Sequence, residues 1–167
     1  MCGIIAVLQR RAAGEPPTPA LIEDLLERAE AALTDVGHFD DPGGLGRAAE
    51  LLGRLDDELS GALGAVTLLE HPVAAAALRS ATDRMTVAVT ELDAILDATA
   101  DGLSARELDE RSAARISVKD PLWALRRDRL PTAEEIADLG GPHLSRSGVA
   151  SYWAIVVALS AIDRLEV

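Results

Sequence analysis

Apolar residues recur along most of this chain at three- and four-residue steps, the spacing of helices with one buried face. Thr18 followed by Pro19 makes an N-cap and first-turn pair for a helix running to about Leu33, whose stripe is Ile22, Leu25, Leu26, Ala29 and Leu33. After the break GHFDDPGG a second helix buries Ala48, Leu52, Leu55 and Leu59 and turns Asp56, Asp57 and Glu58 to water, with the glycines at 61 and 64 ending it. Pro72 opens the longest pattern, in which Leu78, Ala81, Met85, Ala88, Leu92 and Ile95 alternate steps of three and four like a coiled-coil seam, with Met85 filling core space. Ser104 and Glu107 predict a capping box after the Asp101-Gly102 break, and Pro121 predicts an end or kink where a backbone donor is lost. Helical spacing resumes with Leu122, Trp123 and Leu125, and Thr132 with Glu135 caps a short helix through Leu139, closed by Gly140-Gly141-Pro142. A last helix from about Gly148 to Leu165 is apolar on most of its surface, so it is expected between layers.

One segment breaks the helical pattern. Ile4, Ile5, Val7 and Leu8, unbroken by polar residues and preceded by Gly3, read as a single buried strand. A lone strand leaves backbone donors and acceptors unmet, and no partner strand is legible downstream. Ala12 to Pro19 is a linker rich in Gly and Pro.

Composition narrows the classes of function. A chain of 167 residues fits one domain and can bury roughly two-thirds of its unfolded surface. Hydrophobic residues make up 49% but aromatics only 2%, so the core is mostly Ala and Leu and favours helices. The net charge of -12 repels phosphate backbones and anionic lipid, which argues against nucleic-acid and membrane partners. The one basic cluster, Arg126, Arg127 and Arg129 around Asp128, is too small to reverse that, and Lys119 is the sole lysine. Gly3 to Leu8 and Val149 to Ala161 are both too short to cross a bilayer. A single cysteine forms no internal disulfide, and His38, His71 and His143 beside Gly or Pro offer no metal-ligand spacing. The expectation is a cytoplasmic protein without a metal or cofactor.

That cysteine is the residue with chemistry to offer. If Met1 is removed, Cys2 becomes the first residue and carries thiol and free α-amine on one carbon skeleton. With reference pKa values of about 8 for the amine and about 8.5 for the thiol, the amine can take the thiol proton near neutral pH without a histidine. The thiolate can then attack an amide carbonyl, and the same amine can return the proton to departing ammonia. Gly3 allows close backbone approach to a substrate. The plain alternative is a small buried hydrophobe at the start of a strand.

The opening MCGIIAVL resembles the amino terminus of the class II, N-terminal-nucleophile glutamine amidotransferases, the family of glucosamine-6-phosphate synthase. At the other end, ALSAIDRLEV is similar to the first long helix of the same domain. The resemblance covers about the first eight and the last fifteen to twenty residues, in the family's order. It implies an α+β (αββα) domain whose first strand is residues 1–9 and whose first helix, truncated, is residues 148–167, flanking a bundle-like helical insertion over 10–147. In a subgroup with such an insertion, sugar isomerase (SIS) domains follow. The implied activity is hydrolysis of L-glutamine through a cysteine thioester, with ammonia delivered to a keto-sugar phosphate such as fructose 6-phosphate for amino-sugar biosynthesis. Only Cys2 carries over as a catalytic residue. The family's glutamine-binding arginine and aspartate and its Asn-Gly oxyanion pair are expected beyond Val167, in the remainder of the domain. The piece alone is then expected to be inactive. The competing expectation is a non-catalytic acidic helical module whose heptad seam binds another helix or itself, as a homo-oligomer.

Overall fold

In a computed structural model of the chain, residues 14–35, 42–140, 148–149 and 151–156 are described. Four long helices carry the main core: α1 (Pro19–Asp35), α2 (Pro42–Leu59), α4 (Pro72–Thr99) and α5 (Ala105–Ala124), with the short α3 (Gly61–Glu70) between α2 and α4. A five-residue π-helical segment, Leu125–Arg129, continues α5 directly into α6 (Leu130–Gly140). The long helices close into a ring in which α1 packs on α2, α2 on α5, α5 on α4 and α4 on α1.

The sequence stripes meet inside that ring. Ile22, Leu25, Leu26, Ala29 and Leu33 of α1 and Ala48, Leu52, Leu55 and Leu59 of α2 are all buried there. Each fully buried leucine contributes about 1.5–3 kcal/mol. Met85 is buried among them, as expected of a gap-filling thioether. The helix starts also follow the sequence. The Leu21 amide donates to Thr18 Oγ1 at 3.3 Å. At α5, the Glu107 amide donates to Ser104 Oγ (3.3 Å) while the Ser104 amide donates to Glu107 Oε2 (2.9 Å), closing the capping box.

Ion pairs lace neighbouring elements around the ring. Arg84 of α4 holds Glu30 of α1 through two bonds of 2.7 and 2.9 Å, which raises the Arg84 pKa above its ordinary value, first through the hydrogen bond. Arg129 holds Asp56 of α2 the same way, at 2.8 and 3.2 Å. Arg79 of α4 pairs with Glu134 of α6. Pairs as open to water as Arg79–Glu134 contribute little to stability, so apolar burial carries the fold.

A second, smaller cluster lies beside the ring. Ala65 and Val66 of α3 and Ile136 of α6 are buried with Val149 and Val156, and Tyr152 and Trp153 pack against them. Two contacts shape this region. Gly64 comes so close to the end of α2 that a Cβ would sit 2.1 Å from the Leu59 carbonyl oxygen. Buried Thr67 donates its hydroxyl hydrogen to the Pro17 carbonyl at 2.9 Å, tying α3 to the segment entering α1. His71 then turns the chain: its backbone, with φ at -128° and ψ at 72°, is non-helical ahead of Pro72, and α4 leaves α3 at 106°.

Several expectations need correction. The α+β (αββα) flank is not seen: the described residues contain no strand, and 148–149 and 151–156 are helical with Val149 and Val156 buried against other helices rather than a sheet. The strand predicted within residues 1–9 lies outside the described residues. The second helix does end just before Gly61, whose φ of 83° makes the turn, but helix resumes at once as α3, and Gly64 lies inside α3, where it makes the close approach instead of a break. The chain runs helically through Pro121, so Thr132 lies inside α6 rather than capping it. Asp56 does not face water but is gripped by Arg129. Along α4 the seam drifts: Val89 and Leu96 are buried where Ala88 and Ile95 were expected, and Ile95 is 42% exposed. An α-helix advances about 20° per heptad relative to a strict 3.5 repeat, so over 28 residues the buried stripe moves by one position.

No single helix among the described residues is long and apolar enough to cross a membrane, while the sharply bent α3–α4 pair passes on length and composition alone.

Candidate functional site

Where α4 and α5 run side by side, the ring leaves a groove of ≈ 470 Å³ open on its outer surface. Thr86, Val89, Thr90 and Asp93 line it from α4, which follows from helical periodicity, since these positions share one face. Lys119, Leu122 and Trp123 of α5 form the other wall, and Arg126 and Arg127 of the π segment close one end.

The helical irregularity places those arginines. Pro131 has no backbone N–H, so the ladder loses a donor one turn beyond Arg127, and the preceding turn widens until the Leu130 amide donates to the Leu125 carbonyl five residues back. One extra residue enters that turn. Leu125 stays fully buried while Arg126 and Arg127 emerge at the groove, and Arg129 turns to Asp56.

The electrostatics are specific. Asp93 is held by two cations, with Arg115 Nη1 at 2.7 Å from one carboxylate oxygen and Lys119 Nζ at 2.5 Å from the other. Arg126 reaches back to α4, donating to Thr86 Oγ1 at 3.0 Å and pairing with Asp83 at 2.7 Å. Arg127 has no ion-pair partner among the described residues. Trp123 presents its ring to solvent with 56% of its surface exposed, although its neighbours Leu122 and Leu125 are buried. Ile116, one heptad before Trp123, is exposed to the same extent.

The polar groups of the groove are already engaged. The Thr86 and Thr90 hydroxyls donate to the carbonyls of Thr82 (2.7 Å) and Thr86 (2.8 Å), so neither is aligned with a base. Asp93 has both oxygens engaged and offers no proton acceptor to a substrate. An apolar floor of Val89, Leu122 and Trp123 bordered by cations suits an occupant that brings apolar and anionic groups together.

Cys2, the sequence's candidate nucleophile, lies outside the described residues, as do His38 and His143. His71 is exposed at the α3–α4 turn. Among the described residues no three His, Cys, Asp or Glu side chains are grouped to hold a metal ion. The basic cluster is dispersed by the fold: Arg129 serves Asp56, Arg126 serves Asp83, and Arg127 alone stands at the rim without such a partner among the described residues. Sequence reasoning did not find the groove. The signal available was Ile116 and Trp123 seven residues apart on a face of α5 separate from Val118, Leu122 and Leu125. Comparison with family models, with curated proteins and with solved structures finds no match to this chain.

Proposed function

We propose that this chain is the amino-terminal part of a glutamine-dependent amidotransferase, of the kind that transfers ammonia to a keto-sugar phosphate such as fructose 6-phosphate. The observation that carries the reading is MCGIIAVL at the start and ALSAIDRLEV near the end, in the order of the class II family. With Met1 removed, the Cys2 amine takes the thiol proton, and the thiolate attacks the glutamine side-chain carbonyl. The proton leaves with ammonia, and water cleaves the resulting γ-glutamyl thioester to glutamate. Commitment of the groove's Thr86 and Thr90 hydroxyls and Asp93 carboxylate to hydrogen bonds and ion pairs supports placing the chemistry at Cys2 instead of at the groove.

No other residue of the chain matches the family's functional set, so the 167 residues by themselves are expected to release no ammonia. A single missing oxyanion donor typically costs about 10²–10³ in rate. The test is ammonia release from glutamine by the gene product as its own cell makes it. Cys2→Ala should abolish release and Trp123→Ala should not. Release that survives Cys2→Ala ends the proposal.

A second reading, favoured by the α4–α5 groove, is a helical interaction module. Under it Cys2→Ser is silent in every assay while substitutions at the groove are not.

A further inference from the structure

The α4–α5 groove has the form of a seat for one more helix. Its floor runs between two packed helices, and on the same face of α5 as its wall residue Trp123 the equally exposed Ile116 lies one heptad back, outside the groove, so the exposed apolar stripe runs two turns, about 10 Å. That is longer than a single side chain or a small ring needs, and it matches the repeat at which an amphipathic helix presents anchors. Burial of the adjacent Val118, Leu122 and Leu125 in the ring shows that α5 has a separate inward face, so Ile116 and Trp123 are left for something outside.

Charge selects the occupant. The groove is lined by three cations, Lys119, Arg126 and Arg127, against one carboxylate, Asp93, in a chain whose net charge is -12. Asp93 is already met by Arg115 and Lys119, and Asp83 meets Arg126 from outside the lining. Arg127 remains at the rim beside the indole with no ion-pair partner among the described residues. A second copy of the chain would bring its whole -12 toward this one, whereas one short acidic helix brings only the few carboxylates the rim cations can meet, so the copy is the more strongly repelled. We infer that the groove docks an acidic amphipathic helix of a partner, which lays apolar residues on Trp123 and Val89 and sets carboxylates on Arg127 and Arg126. The inference rests on the interaction-module reading and names the chemistry of its partner.

The test uses the full chain and a fluorescent synthetic helix of about 14 residues, four turns, with leucines at three- and four-residue steps and glutamates beside them. Anisotropy should show saturable binding of the acidic peptide. Trp123→Ala should weaken it about tenfold or more, as loss of an aromatic anchor does. Arg127→Glu should weaken it to a similar extent and let the same peptide with lysines in place of glutamates bind instead. Both positions are solvent-facing, and circular dichroism verifies that each variant folds. Equal binding of acidic and basic peptides by the unmodified chain would overturn the acidic assignment and leave the interaction reading standing. If neither peptide binds, both fall at this face. Self-association that Trp123→Ala abolishes would give the groove to a second copy and overturn the inference.

Discussion

The four-helix ring and the smaller cluster of α3, α6, 148–149 and 151–156 are both apolar, yet they hold together differently. The ring is built from leucines at helical spacing, packed by four long helices that each touch two others. Its stability is distributed, because many large side chains contribute in parallel. The smaller cluster buries mainly Ala, Val and one Ile, and its position depends on two singular contacts, the Gly64 approach to Leu59 and the Thr67 bond to Pro17. Regular periodicity therefore makes a core that tolerates irregular ends. A region with small side chains needs specific backbone contacts to set its position.

Substitutions can separate these two modes. Leu55→Ala in the ring should have the largest effect, about 3–4 kcal/mol, because the site is fully buried and the surrounding helices cannot all collapse on the cavity. Chemical denaturation measures it, and a loss under 1 kcal/mol would mean the ring is looser than described. Gly64→Ala should follow at about 3 kcal/mol, since the new methyl meets backbone atoms and α3 must move away from α2. Its signature should be local: amide exchange in α3 and α6 rises more than in α1. Thr67→Val keeps the shape but leaves the Pro17 carbonyl unmet, for a loss of about 1–2 kcal/mol on the same denaturation curve.

The smallest effect belongs to the α5 cap. Ser104→Ala should cost about 1 kcal/mol at neutral pH. The Ser104 hydroxyl, and after it the Ser104 amide, hold the Glu107 carboxyl below its ordinary pKa of 4.5. A carboxylate whose pKa is lower folded than unfolded adds stability above the unfolded value and loses it as pH falls through the folded one. The melting-temperature gap between the parent and Ser104→Ala should accordingly narrow well below pH 4.5. A gap constant across that range would show that the box does not form.

Much of the ring was legible because its signals are local. Every stripe residue named in α1 and α2 is buried, and the S-x-x-E box starts α5 where the spacing placed it. What escaped depends on distance along the chain. Gly64 is the exception: only five residues from Leu59, its contact leaves no mark in the hydrophobic pattern, and a glycine there looks like a breaker. Asp56 has the look of a solvated acid until Arg129, 73 residues later, comes to meet it. Pro121 predicts an end or a kink, and the helix does not end there, because packing of Leu122 and Leu125 into the ring outweighs the lost donor. The groove was invisible for the same reason: Val89 and Trp123 are neighbours only because α4 and α5 are. Of the proposed chemistry, the sequence supplied Cys2 alone, and that residue lies outside the described residues.

The proposed placing of chemistry at Cys2 and framework in the helices is tested most directly by intact-mass analysis of the gene product made in its own cell. After exposure to an electrophilic glutamine analogue, the amino-terminal peptide should lack Met1 and carry one adduct on the Cys2 sulfur, with ammonia release lost in step. Ammonia release from glutamine by a product that retains Met1, or an adduct on any other residue, would contradict it.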